Sequence, residues 1–140
     1  MKIKSSRDLV TEALSEIKTI SPQEGLEKIN NKSCNLIDIR DIRELERLGR
    51  IENSSHVPRG MLEFWMDPDS QYFKDGKIDM NKEMVLFCAG GLRSALATKS
   101  LQEMGFTNVC HIEGGFGAMQ NSGFKVCLLY TSDAADELSC

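Results

Sequence analysis

Several chemistries lack their raw material in this sequence. The five cysteines are an odd number and no two stand in a C-x-x-C arrangement. That argues against a disulfide framework and for a reducing, cytoplasmic setting. Histidine is scarce, with only His56 and His111, and neither has zinc-ligand spacing to a cysteine pair. Seventeen basic residues against 21 acidic ones give a formal charge of −4 and no basic stripe, so nucleic acid is not expected as a partner. No run approaches the ~20 apolar residues of a membrane span. Met1-Lys2-Ile3-Lys4 leads into polar and charged residues, not an apolar leader, so neither membrane nor secretion is expected. At 140 residues, 41% hydrophobic and 27% charged, without internal repeats, the chain reads as one globular domain.

What it does have is concentrated between Met84 and Ser94, MVLFCAGGLRS. Met84 to Phe87 is a short unbroken apolar run, the pattern of a strand buried on both faces. It ends at Cys88, and Gly90 and Gly91 follow at once. From Leu92 the pattern turns helical: Ser94, Ala97, Leu101 and Met104 share one face, and Gly105 is placed to end the helix. A cysteine is thus expected at the carboxyl end of a strand, in a tight loop that opens a helix. Open α/β sheets bind their ligands there. Glycines let successive N–H groups turn inward as an anion-binding nest. The helix N-terminus adds partial positive charge and Arg93 a permanent one, so the Cys88 pKa is expected to fall.

The rest of the chain supplies the frame. Ser6 to Lys18 reads as an amphipathic helix, a short strand follows near Thr19-Ile20, and Ser21-Pro22-Gln23-Glu24 is a capped helix start whose Leu26 and Ile29 face the sheet. Leu36 to Ile39 reads as a buried strand. Asp41 and Glu44 form a capping box, with Leu45 and Leu48 inward, Gly49 closing the helix, and Arg43, Glu44, Glu46 and Arg47 on a solvated face. Asp38 and Arg40 are expected at the same sheet edge as Cys88, bracing it as an ion pair more than bordering the site. Ser55 to Val57 is a short strand. Pro58 to Trp65 has two readings, a lid with Met61, Phe64 and Trp65 on its underside, or plain packing over the sheet; Arg59 is a candidate to hold an anionic donor, but sequence alone does not place it. Asp67 to Glu83 reads as a surface loop. Asn108 to Ile112 is another strand, in which Cys110 is core and His111 makes a structural hydrogen bond. Gly114-Gly115 starts the last helix. Alternating strands and helices imply a parallel sheet covered on both faces.

Cys88 to Ser94, CAGGLRS, resembles the C-x-x-G-x-R-[ST] active-site loop of rhodanese-like sulfurtransferases. Ile112-Glu113-Gly114-Gly115-Phe116 resembles that family's second signature. Asn35 to Asp41 is similar to its early strand with Asp-x-Arg, and His56-Val57-Pro58-Arg59-Gly60 falls at its second short strand. The resemblance covers roughly residues 20–126. It implies a three-layer α/β/α fold with a central, mainly parallel sheet of about five strands, preceded by a helical extension over 1–19. The segment Cys127 to Glu137 looks like a translated sequencing adapter, so 127–140 is expected to be a non-native tail.

The implied reaction is sulfur transfer through a Cys88 persulfide, from a small donor such as thiosulfate to a thiol or cyanide, or to a protein thiol. In it Cys88 and Arg93 are the expected catalytic residues, with Ala89, Gly90, Gly91, Leu92 and Ser94 binding the substrate and no metal or organic cofactor. Two alternatives stand beside it: a module that carries or senses persulfide, and a cysteine-dependent phosphatase or arsenate reductase. Phosphatases that form cysteinyl-phosphate place five residues between Cys and Arg. Here there are four, Ala89 to Leu92, which favours sulfur.

Overall fold

The computed structural model describes residues 1–73 and 77–128. Helix α1, Ser6–Glu16, starts where the Ser5 side chain accepts the Asp8 N–H, and it packs through Val10 and Ala13 against Ala95. Strand β1 is Lys18–Ile20, and α2, Pro22–Asn30, follows with Ser21 as its cap and proline in its first turn. Strand β2 is Cys34–Asp38. Helix α3, Ile42–Leu48, carries the expected capping box: Asp41 accepts from the first turn while Glu44 accepts the Asp41 N–H. Strands β3, Arg50–Ile51, and β4, Ser54–His56, come next. A 3₁₀ turn, Arg59–Met61, leads into the one-turn helix α4, Leu62–Trp65. The second half holds β5 (Glu83–Phe87), α5 (Leu92–Glu103), β6 (Val109–Ile112), α6 (Gly115–Asn121) and β7 (Val126–Cys127).

The main sheet has five strands in the order β1-β6-β5-β2-β4, all parallel. Central strand β5 is buried along its whole length, which accounts for its unbroken apolar run. Its side chains alternate between the two faces. Met84 and Leu86 join Ile37, Ile39, Leu62 and Leu101 on one side, while Val85 and Phe87 join Leu36, Cys110, Ile112 and Phe116 on the other. Each such large side chain contributes about 1.5–3 kcal/mol by burial. The three-layer fold expected from the alternating pattern is the observed one. Strands β3 and β7 form a separate antiparallel pair, with Arg50 opposite Cys127. That pairing runs one residue into the segment expected as a tail, and residues 129–140 lie outside the described part. Among the described residues, no helix is long and apolar enough to cross a membrane.

Leu48 and Met104, expected to face inward, are exposed at 44% and 40%, and so is Phe64, at 52%, which one reading put under a lid. The segment after Pro58 instead buries Leu62 and Met66, and Phe64 stacks edge-on against Tyr72 with ring centroids 6.2 Å apart. Packing over the sheet is therefore its structural role. Arg59 is held by Glu63 at 2.9 Å and by Ser100 Oγ at 3.3 Å.

Candidate active site

The turn from β5 to α5 wraps the Cys88 sulfur in donors. The Gly91 N–H donates to Sγ at 3.1 Å and the Ser94 N–H at 3.3 Å, while Ser94 Oγ lies 3.5 Å from it. Gly91 makes this possible with φ +101°, a left-handed conformation that lets the chain fold back over the sulfur. Ala89, Gly90 and Leu92 form the solvent-facing rim. Burial pushes the Cys88 thiol up, but the Ser94 hydroxyl and the N–H groups of Ser94, Gly91 and Gly90 outweigh it, and its pKa lies below the ordinary value. The thiols of Cys34 and Cys110 go the opposite way. Burial, with Glu83 nearby, pushes Cys34 up to about 11 and Cys110 up to about 12.

The thiolate fraction of Cys88 should therefore rise at lower pH than in an ordinary cysteine. Alkylation by iodoacetamide is expected to level off at a pH below that of a free thiol, and in Ser94→Ala the profile should shift upward. A profile unchanged by Ser94→Ala would show that the hydroxyl does not stabilise the thiolate.

The loop is braced from behind by the second glycine motif. The Phe116 N–H donates to the Cys88 carbonyl at 2.8 Å. Gly115 has φ +62°, and a Cβ there would lie 2.7 Å from the Ala89 carbonyl carbon and oxygen. Only glycine fits between α6 and the cysteine loop. Beneath Phe116 lies the fully buried Arg40, its guanidinium 4.1 Å from the ring centroid. Arg40 is clamped by Asp38, with Nη2 to Oδ2 at 2.8 Å and Nε to Oδ1 at 3.0 Å, and also donates to the Gly49 carbonyl at 2.9 Å. Asp38 and Arg40 thus form the expected ion pair at the sheet edge.

Arg93 has a partner that sequence reasoning placed elsewhere. Glu44, expected on a solvated face, grips the Arg93 guanidinium through both oxygens, at 2.9 and 3.0 Å. Arg93 in turn holds the Glu44 carboxyl below the usual carboxylate range. The Ser94 hydroxyl and the N–H groups of Ser94, Gly91 and Gly90 do most of the lowering of Cys88, while the Arg93 pKa, raised first by Glu44, is also raised by the charge on Cys88. The capping box was the available signal for Glu44, because it fixes that side chain at the start of α3 beside the site.

A strand-end cysteine in an N–H cradle, backed by a glycine-glycine wedge, defines a cysteine-centred α/β site. The chain belongs to the rhodanese-like domain family, whose sequence model matches residues 21–122. Among solved structures it is similar to a protein of unknown function from Rhodopseudomonas palustris described as a possible tyrosine phosphatase. That match has 44% identity and a TM-score of 0.81, covering 90% of this chain and 96% of the other. It is also similar to the polysulfide-sulfur transferase of Wolinella succinogenes, at 30% identity and TM-score 0.67, covering 84% and 83%. A curated relative, the tRNA uridine(34) hydroxylase of Prochlorococcus marinus, is 30% identical over 82% of this chain. The chain spans only 39% of that protein.

Proposed function

We propose that the protein is a sulfurtransferase that carries sulfane sulfur on Cys88. The observation behind this reading is the set of N–H donors around a sulfur whose pKa is lowered. In the first half-reaction the Cys88 thiolate attacks the outer sulfur of a donor such as thiosulfate. The donor S–S bond breaks, sulfite leaves with the electron pair, and Cys88 becomes a persulfide. In the second, a thiol or cyanide attacks the outer sulfur and the Cys88 thiolate departs. The N–H groups offset negative charge on the bound sulfur. The printed name of the Wolinella relative, a sulfur transferase, supports the same chemistry. The partners of this reading are small sulfur compounds and thiols in the cytoplasm.

A second reading is hydrolysis of phosphate esters, favoured by the description of the Rhodopseudomonas relative. Against it stand the four-residue gap before Arg93 and the engagement of that arginine by Glu44. Intact-protein mass spectrometry after thiosulfate treatment separates the two. Sulfur transfer predicts the gain of one sulfur atom, reversed by cyanide or dithiothreitol. No added sulfur on a Cys88 that still reacts with a thiol probe, together with turnover of an aryl phosphate, would favour the second reading.

A further inference from the structure

Ser94 does more than touch the sulfur. Its hydroxyl lies 2.8 Å from His111 Nδ1, and the other nitrogen of that ring, Nε2, lies 3.0 Å from Thr19 Oγ1. Strand pairing fixes this arrangement, since Thr19 sits opposite His111 in the β1–β6 register. Ser94 and His111 are buried, whereas Thr19 is on the exposed edge strand. A continuous line of hydrogen-bonding atoms therefore runs from the Cys88 sulfur, behind the loop, to solvent at β1. Thr19 lies outside the residues matched by the family's sequence model.

Burial holds the His111 pKa down to about 4, so the ring is neutral near pH 7 and carries one N–H. The surrounding charges are already paired: Arg93 with Glu44, Arg40 with Asp38, and Lys18 and Lys28 with Glu83. One N–H and one serine proton can satisfy the line in two ways. With Cys88 as a thiol, S–H donates to Ser94 Oγ, Ser94 O–H donates to Nδ1, and Nε2–H donates to Thr19. With Cys88 as a thiolate, every bond reverses: Thr19 O–H donates to Nε2, Nδ1–H donates to Ser94, and Ser94 O–H donates to the sulfur.

We infer that Ser94, His111 and Thr19 form a proton relay that empties the Cys88 thiol toward the β1 edge, away from the loop mouth where a sulfur donor would enter. The thiol proton moves to Ser94 Oγ, the serine proton to Nδ1, the Nε2 proton to Thr19 Oγ1, and the Thr19 proton to water. One proton leaves, His111 changes tautomer, and no oxidant or other reactant takes part. Ser94 meets the sulfur directly, while His111 and Thr19 act through it as positioning residues. The role of the relay in turnover rests on the sulfur-transfer reading, but the relay itself concerns only the ionisation of Cys88.

The test is a titration of the nitrogen-15-labelled full chain, reading the ring nitrogens of both histidines by long-range proton–nitrogen correlation. His56→Gln assigns the two rings, and thiolate absorbance, taken as the difference between wild type and Cys88→Ser, follows Cys88. Cys34 and Cys110, pushed up to about 11 and 12, stay silent over that range. The expected result is that the protonated and unprotonated nitrogens of His111 exchange places as Cys88 ionises, and that Cys88→Ser abolishes the exchange. A His111 tautomer that stays fixed while Cys88 ionises would overturn the relay. So would an exchange that persists in Cys88→Ser. Neither outcome depends on thiosulfate being a substrate, so the relay and the sulfurtransferase reading fail separately.

Discussion

Cys88→Ser is expected to abolish sulfur transfer while leaving the fold intact. Loss of a lone nucleophile can cost on the order of 10⁶ in rate, which is below detection in a steady-state assay. A hydroxyl in the same cradle cannot stand in, because it is not a thiophile and stays protonated near neutrality. The remaining described cysteines are poor substitutes. Cys34 and Cys110 are buried core residues whose pKa values are pushed up to about 11 and 12, and Cys127 is fully buried in β7. The measurement is thiosulfate-to-cyanide turnover on wild type and variant, with circular dichroism to establish that both are folded. Residual turnover above about one per cent of wild type, in a folded variant and beyond what the 10⁶ scale allows, would move the sulfur carrier to another residue.

The second large effect is structural. Asp38→Asn keeps the shape and an acceptor oxygen but removes the counter-charge of Arg40, which is fully buried. Breaking a buried pair from one side costs about 3–5 kcal/mol, because the remaining ion loses its counter-charge away from water. For a domain of this size the loss lowers Tm by roughly 10 °C or more. The damage should also reach the site, since Arg40 supports Phe116, whose N–H anchors the Cys88 carbonyl. Thermal melting checks the first effect, and the pH profile of Cys88 alkylation checks the second. A melting temperature within about 2 °C of wild type, well under a kilocalorie, would mean that the pair is not isolated from solvent.

Much of the frame was legible because its signals are local. A buried strand announces itself by an unbroken apolar run, a helix start by Ser, Pro and Glu at fixed offsets, and an exit by glycine. The β5–α5 turn carries the first of these and has paired glycines in place of a capping side chain, so Cys88 and its N–H cradle could be placed before the fold was known. Leu48 was assigned to the wrong side, and Phe64 turns outward where one of two readings had it under a lid, for a physical reason. Helices of seven and four residues are too short for periodicity to say which apolar side chain turns inward, and sheet packing decides instead. The capping box placed Glu44 and a structural hydrogen bond was expected of His111, but the pairings Glu44–Arg93 and Thr19–His111–Ser94 were not legible. Each joins residues far apart in sequence, and only strand order brings them together.

That strand order also sets the timing of assembly. Strand β1 pairs with β6 alone, so the first strand of the main sheet waits for its last. The wedge behind Cys88 comes from Gly115 and Phe116, later still. Contacts of such long sequence separation form late, after the cost of loop closure has been met. During synthesis, which presents the N-terminal half first, Cys88 leaves the ribosome before anything can shape its loop. Until residues 109–116 dock, the Cys88 carbonyl lacks its Phe116 anchor and the Ser94 hydroxyl its His111 partner, so the surroundings of the sulfur are complete only as folding ends.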